Sequence, residues 1–218
     1  MRNWWKDLTI ILLLYTLIGG LLIPVPKQVI LYESIRNLYF HVPMWFSMIF
    51  LFLMSVVYSI KGLYSNNLSH DIKAKELVNA GIIFGILGTI TGSIWAKFTW
   101  GAWWVNDVKL NGSAITMLIY LAYIVLRGSL EDEQKRARIS GVYNIFAFVL
   151  LLVFIGILPR MTDSLHPGNG GNPGFNNYDL DDNMKLVFYP AVIGWILFGW
   201  WIASIRIRIS KVTQKLEA

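Results

Sequence analysis

Six apolar runs separated by short connections constrain this chain more than any other feature. The runs cover residues 8–25, 42–60, 77–95, 113–126, 141–158 and 186–205. A helix that crosses a bilayer needs about 20 mostly apolar residues, and within lipid only helices and closed barrels satisfy all backbone polar groups. The sequence therefore predicts an all-α integral membrane protein, with six transmembrane helices in a single domain over residues 1–218. The fourth run is the shortest, which leaves open an earlier start or a tilted helix.

The composition agrees with a lipid environment. Hydrophobic residues make up 56% and charged residues 15% of the chain, whereas soluble domains have about 45–50% and about 25%. The net charge of +6 is compatible with nucleic-acid binding, but the basic residues lie between the apolar runs, so we expect no nucleic-acid partner. The absence of cysteine excludes disulfides, thiolate metal sites and cysteine nucleophiles.

The distribution of basic residues predicts the orientation. If the N-terminus is cytoplasmic, 13 of the 19 Lys and Arg residues fall on the cytoplasmic side and 6 on the outer side. This bias favours cytoplasmic N- and C-termini. The first run follows Arg2 and Lys6 as a signal peptide would, but no convincing cleavage site follows, so we expect an uncleaved span.

The third run carries glycines at small-xxx-small spacing. They are Gly81, Gly85, Gly88 and Gly92. Such a stripe lets two helices approach closely in a membrane, and we interpret it as a packing surface.

Two of the three histidines fall on the predicted outer side. His41 directly precedes Val42 and Pro43, and proline often opens a helix in its first turn, so we expect His41 at the mouth of the second span. His166 lies in the connection from 159 to 185, which also contains a Gly/Asn/Pro-rich stretch expected to be flexible. Two facing imidazoles suit a heme iron, although an isolated interfacial histidine is more often a hydrogen-bonding surface group. His70 lies on the other side and is expected to be solvated.

Four tryptophans lie within ten residues of the second outer connection: Trp95, Trp100, Trp103 and Trp104. Tryptophan is common at membrane interfaces, so an aromatic belt is one explanation. The concentration in one loop, with Gly101 permitting close backbone approach, equally favours a platform for a large flat ligand. The residues alone leave both open.

Charged residues near the same boundary have two possible roles each. Arg36, Lys97 and Lys109 could pair with carboxylates of a porphyrin or anchor helix ends by extending to the interface. Asp107 could orient a ligating histidine or cap a backbone turn.

Two segments resemble a known family. Trp100-Gly-Ala-Trp103-Trp104-Val-Asn-Asp107 resembles the "WWD" signature of heme-handling membrane proteins in cytochrome c maturation, and Thr91-Gly-Ser-Ile-Trp-Ala-Lys97 is similar to its lead-in. Arg36-x-x-Tyr39-Phe40-His41-Val42-Pro43 resembles the family's first outer histidine motif. With six spans, the chain is similar to the CcmC type of this family.

The resemblance implies a heme site on the outer face of a bacterial inner membrane. His41 and His166 would be the axial ligands of a non-covalently bound, b-type heme in transit. The platform would comprise Trp100, Gly101, Trp103, Trp104 and Asp107, with Arg36 and Lys109 as basic residues of the site. The resemblance further implies ABC transporter subunits and a periplasmic heme chaperone as partners, and no catalysis by the chain itself.

Three departures from the family pattern stand out. Asn106 replaces the tryptophan before the aspartate, and Lys109 replaces an arginine, so a bidentate contact would become a point charge. The segment before His166 lacks an aromatic lead-in, which makes His166 the weaker candidate ligand.

Three other classes compete with a heme carrier. An electron-transfer cytochrome b would hold heme between histidines inside the spans, where we expect none. A secondary transporter or membrane scaffold would make the tryptophan cluster only an interfacial belt, but transporters usually carry acidic or broken spans. A heme-handling synthase would need a longer chain.

Overall fold

The computed structural model describes residues 4–27, 30–166 and 180–217. The Gly/Asn/Pro-rich stretch that was expected to be flexible lies outside these residues. The described chain forms seven α-helices: α1 (Trp4–Leu22), α2 (Leu38–Ser65), α3 (Leu68–Trp100), α4 (Val108–Gly128), α5 (Glu133–Leu151), α6 (Leu158–Met161) and α7 (Asp182–Glu217).

Six helical segments are long and apolar enough to cross a membrane. A 3₁₀ turn, Tyr32–Asn37, leads into α2, and a π-helical turn, Leu152–Ile157, joins α5 to α6, so that α5 and α6 form the single span Glu133–Met161. The prediction of an all-α protein with six transmembrane helices is confirmed. Its orientation and its single domain remain predictions.

Most helices extend beyond the apolar runs that predicted them. Polar caps set their first residues: Asn67 accepts a hydrogen bond from the Ser69 N–H, and Asp107 accepts from the N–H groups of Lys109 and Leu110. The fourth span therefore starts earlier than its apolar run, which accounts for the short run. At its other end α3 continues to Trp100, so half of the predicted tryptophan loop is helix. Hydropathy marks the depth of the hydrocarbon, whereas backbone hydrogen bonding continues into the interface.

The start of α2 differs from the prediction. Proline does not open this helix: α2 begins at Leu38, directly after the 3₁₀ turn, and Pro43 lies inside it. The 3₁₀ turn already sets the helical path, so the proline costs one backbone hydrogen bond within the helix. As a result His41 lies in a span, and the expectation that no histidine would do so was wrong. His70 likewise lies in α3 rather than in a loop.

The glycine stripe of α3 receives rings and side chains from α2. A Cβ atom at Gly81 would lie 2.4 Å from the Phe52 ring, and one at Gly88 would lie 2.9 Å from Trp45. The prediction of a close packing surface is confirmed. At the end of the stripe, a Cβ at Gly92 would lie 2.6 Å from the His41 ring, so the same surface also seats a candidate ligand.

The remaining helices enclose this α2–α3 hairpin. Helix α7 packs against α1, α2 and α3, while α5 packs against α2 and α4. A buried polar contact joins α5 to α2, where the Asn144 amide donates to the hydroxyls of Ser55 and Ser59 at 2.9 Å each. Polar contacts of this kind join helices in lipid, and this one fixes α5 against α2.

Candidate functional site

His41 is held by the backbone of α3. Its Nδ1 lies 3.0 Å from the Gly88 carbonyl oxygen and 3.2 Å from the Thr91 hydroxyl. The Trp95 ring is edge-on to the imidazole, with 5.9 Å between ring centroids. Contact with Gly92 on one side and with Trp95 on another fixes the plane of the ring.

His166 is held by a single carboxylate. After α6 ends at Met161 the chain turns back, and the His166 Nδ1 lies 3.0 Å from Asp107 Oδ1. The other oxygen of Asp107 accepts hydrogen bonds from the Ser164 hydroxyl and the Leu165 N–H, both at 2.8 Å. Asp107 also caps α4. The sequence left orienting a histidine and capping a backbone turn as alternatives; in the structure Asp107 bonds the histidine, and the backbone that it caps is the first turn of a helix.

The environment of Asp107 favours its ionised form. The residue is 4% exposed, and burial alone would raise the pKa of its carboxyl. Hydrogen bonds from His166, Leu165 and Ser164 outweigh this penalty and hold the pKa well below its ordinary value. The acid that positions His166 is therefore a carboxylate at neutral pH.

The hydrogen bonds set the tautomer of both imidazoles. A carboxylate and a carbonyl oxygen only accept, so each Nδ1 is the donor in its pair. In the neutral rings the lone pair then lies on Nε2, the arrangement found in metal-ligating histidines. Among the described residues neither Nε2 has a hydrogen-bond partner.

The two histidines lie at the same end of the bundle. They are within electrostatic reach of each other, and both contact tryptophans of the last turns of α3: His41 touches Trp95, and His166 is edge-on to Trp100 at 5.1 Å between ring centroids. We call this region, comprising His41, Trp100, Asp107 and His166, the histidine end.

The segment after α3 presents large rings outward. Gly101 ends α3 with a φ of 78°, a conformation that side chains disfavour. Trp103 and Trp104 follow, and are 59% and 41% exposed. The indole of Trp104 donates to Asn111 Oδ1 at 3.2 Å, and the Asn111 amide donates to Asn106 Oδ1 at 2.8 Å.

The chain matches a known family over its full length. The model of the heme exporter protein C family (CcmC) matches residues 1–218. The protein belongs to this family. Similar relatives named heme exporter protein C come from Paracoccus denitrificans, 28% identical over 85% of this chain and 76% of the relative, and from Rhodobacter capsulatus, 26% identical over 99% and 88%. One from Escherichia coli K12 is 23% identical over 81% and 70%.

The donor set in this member of the heme exporter protein C family suits a porphyrin iron. In the described part of the chain, no three His, Cys, Asp or Glu side chains converge to hold a bare metal ion. A porphyrin supplies four ligands and needs only axial donors, for which histidine is common. His41 and His166 present two such donors beside broad indole surfaces.

The two predicted basic residues of the site have different surroundings. Arg36 donates to the Gly20 and Ile23 carbonyls at the end of α1, at 2.8 Å and 2.7 Å, and pairs with Glu33. This caps α1 with a cation. Lys109 lies within electrostatic reach of His41, Asp107 and Arg160. The Lys109 N–H also donates to Asp107 Oδ1 at 3.0 Å, so Lys109 lies at the histidine end, whereas the contacts of Arg36 give it a structural task.

Sequence reasoning missed residues that orient the two candidate ligands. Gly88, Thr91 and Gly92 hold His41, and Ser164 ties the His166 segment to Asp107. The glycines of α3 were interpreted as a packing surface, and Thr91 and Gly92 also as part of a segment similar to the family's lead-in, but none of them was expected to contact His41. The spacing of Ser164 two residues before His166 is a turn signal, and the His166 N–H does lie 3.2 Å from the Ser164 hydroxyl.

Proposed function

We propose that this protein binds heme non-covalently at the histidine end and passes it to a periplasmic heme chaperone during c-type cytochrome maturation. It would work in a bacterial inner membrane beside an ABC transporter, with the histidine end facing the periplasm. The proposal includes no bond-making step by the protein. Membership of the heme exporter protein C family supports heme handling, and the relatives carry the same name.

One observation carries the proposal. Two histidines at one end of the bundle have their Nδ1 atoms engaged by acceptors, which leaves both Nε2 lone pairs for an iron. Bound heme would supply the iron and a flat apolar ring, which the exposed rings of Trp103 and Trp104 suit. Lys109 is the cation placed to attract a propionate.

The two candidate ligands differ in how they are held. His41 belongs to α2 and is wedged against the backbone of α3, whereas His166 lies beyond the end of α6 and is held by polar contacts to Asp107. The His166 side chain is also 22% exposed. We propose that His41 retains the iron while His166 exchanges for a ligand of the chaperone.

Exposure separates this proposal from an electron-transfer cytochrome. His41 lies inside a span, so position in the chain no longer distinguishes the two classes. An electron relay benefits from an enclosed heme, whereas a carrier must release it to a partner. The outward-facing indoles of Trp103 and Trp104 favour the carrier.

The test is the absorption spectrum of the purified protein in detergent, after expression with ample heme. Wild type is expected to show a Soret band with low-spin bis-imidazole features. His41→Ala is expected to lose stable loading, and His166→Ala to retain heme with an open sixth position and altered release to a chaperone. The matched control is His70→Ala, at the opposite end of the bundle, which should leave the spectrum unchanged.

Two results would contradict the proposal. If folded wild type supplied with heme were colourless, the tryptophans would be explained as an interfacial aromatic belt instead of a heme platform. A heme that cycles rapidly with a quinone but never reaches a chaperone would favour electron transfer.

A further inference from the structure

Three lysines and a histidine cluster at the end of the bundle opposite the histidine end. Asn66 and Asn67 form the short connection between α2 and α3, with Asn66 in the left-handed conformation at a φ of 50°. This tight turn brings Lys61 of α2 and Lys73 of α3 to the same aromatic ring. Their Nζ atoms lie 5.5 Å and 4.9 Å from the centroid of Tyr58.

His70 extends this cluster towards α7. Its ring lies 6.0 Å from the Tyr58 ring, between centroids, with 24° between the planes. It is within electrostatic reach of Lys73, Lys61 and Lys211. Its Nδ1 is buried without a hydrogen-bond partner among the described residues. We call Tyr58, Lys61, His70, Lys73 and Lys211 the lysine cluster.

Within residues 4–27, 30–166 and 180–217, no carboxylate lies within ion-pair distance of Lys61, Lys73 or Lys211. Four other cations of this end are paired: Lys75 and Arg206 with Glu76, Arg127 with Asp71, and Arg136 with Glu133. The ring of Tyr58 attracts the ammonium groups but carries no net charge to offset their mutual repulsion.

A neighbouring cavity serves as a comparison. It has a volume of about 540 Å³ and lies between α3, α4, α5 and α7, lined by Lys75, Arg127 and Arg136 together with Asp71 and Glu133. Each of its cations already contacts an acid, so it offers little net attraction for an anion. The lysine cluster, in contrast, combines three positive charges with an unsatisfied imidazole nitrogen.

The position of the cluster indicates the kind of anion. Lys61 lies four residues before the end of α2, and Tyr58 lies near the end of the second apolar run, where tyrosine is enriched at membrane interfaces. Phosphates of anionic lipids lie at this depth, and basic pockets between helices at a membrane surface bind such headgroups. We propose that the lysine cluster binds the phosphate of an anionic phospholipid. This site is independent of the heme site.

The experiment compares lipid binding by the full-length protein in nanodiscs. One set contains phosphatidylcholine alone, and the other an equimolar mixture with phosphatidylglycerol. Native mass spectrometry of the released protein measures retained lipid, and thermal unfolding in each set measures stabilisation. Wild type is expected to retain phosphatidylglycerol and to unfold at a higher temperature in the mixture.

Substitutions locate the site. Lys61→Gln and Lys73→Gln are each expected to weaken retention of phosphatidylglycerol about fivefold, the effect of one lysine near an anionic surface. Lys61→Arg keeps the charge and should bind as wild type does. Lys135→Gln is the matched control, since this lysine lies at the same end of the bundle outside the cluster. Helix content by circular dichroism verifies that each variant is folded.

Three outcomes would overturn the inference. Equal retention by wild type and by folded Lys61→Gln and Lys73→Gln would place anionic lipid elsewhere. Equal retention of phosphatidylcholine would remove the role of charge. Displacement of the lipid by inorganic phosphate at equal concentration would indicate a soluble phosphate ligand instead. The heme spectrum should be unaffected by these variants, so the two proposals fail separately.

Discussion

The two ends of this bundle treat their charged residues in opposite ways. At one end Asp71 and Arg127 form a bidentate pair, and Glu76 accepts from Arg206 at 2.8 Å and from the Ser210 hydroxyl at 2.8 Å. We call this the ion-pair end. At the histidine end, Asp107 accepts a hydrogen bond from the Nδ1 of His166 and so orients this ring. The Nε2 of His166 has no hydrogen-bond partner among the described residues.

This difference between the two ends separates polar groups that stabilise the fold from polar groups that are available to a ligand. At the ion-pair end, outside the lysine cluster, Asp71 and Glu76 bind partners within the protein and tie α3 to α4 and α7. At the histidine end, similar hydrogen bonds to Asp107 orient His166 and leave its Nε2 available for a ligand. We therefore expect substitutions at the two ends to separate stability from heme binding.

The largest expected effect on stability lies at the ion-pair end. Asp71 and Arg127 have side chains only 12% and 10% exposed, and removing one partner leaves the other charge uncompensated. Asp71→Asn should lower the free energy of unfolding by about 3 kcal/mol, with an unchanged Soret band in the protein that remains folded. Thermal unfolding in detergent and the heme spectrum measure the two effects. If Asp71→Asn changed the Soret band but kept the stability of wild type, the two ends would not separate stability from heme binding.

The next effect lies at the histidine end. Asp107→Asn keeps a good cap for α4, but its amide nitrogen cannot accept from Ser164 and Leu165. Loss of a group that orients a metal ligand typically weakens metal affinity about 10–100-fold. We expect the heme affinity of Asp107→Asn to fall by this factor, with little change in helix content. Asp132→Asn is the matched control, since Asp132 caps α5 at the ion-pair end. Heme titration that shows equal affinity for both variants would remove Asp107 from the site.

Helix packing at the histidine end gives a third effect. Gly92→Ala places a methyl group against the His41 ring, and overpacking of this kind costs about 1–3 kcal/mol. The displaced imidazole should shift the Soret band and weaken heme retention about tenfold. Gly156→Ala is the control, because no atom lies within 4 Å of a Cβ built there. A wild-type spectrum for Gly92→Ala would show that α3 does not position His41.

The smallest expected effect concerns the orientation of Trp104. Asn111→Ala removes the acceptor of the Trp104 indole and the link to Asn106. A hydrogen bond in an exposed segment contributes about 0.5 kcal/mol, so heme affinity should fall only about twofold to threefold. Trp104→Ala, which removes the ring itself, should have a larger effect in the same titration. Reversal of this order would mean that Asn111 acts other than through Trp104.

The fold could be predicted further than the site. Spans were identified from apolar runs because their length is matched to the bilayer, a local property. Helix limits were missed where polar caps such as Asn67 extend the helix beyond the hydrocarbon, and Pro43 was misread because a preceding 3₁₀ turn sets the helical path. The candidate ligands came from family resemblance, and their roles stay predictions.

The sequence by itself determined that this chain is a six-span membrane protein of the heme exporter protein C family, with His41, His166 and the Trp100–Asp107 segment as its unusual features. Tertiary structure decided how those features meet. His41 is oriented by the Gly88 carbonyl, 47 residues away, and His166 is oriented by Asp107, 59 residues away. Contacts between residues so far apart depend on which helices pack together, and spacing along the chain does not encode that packing.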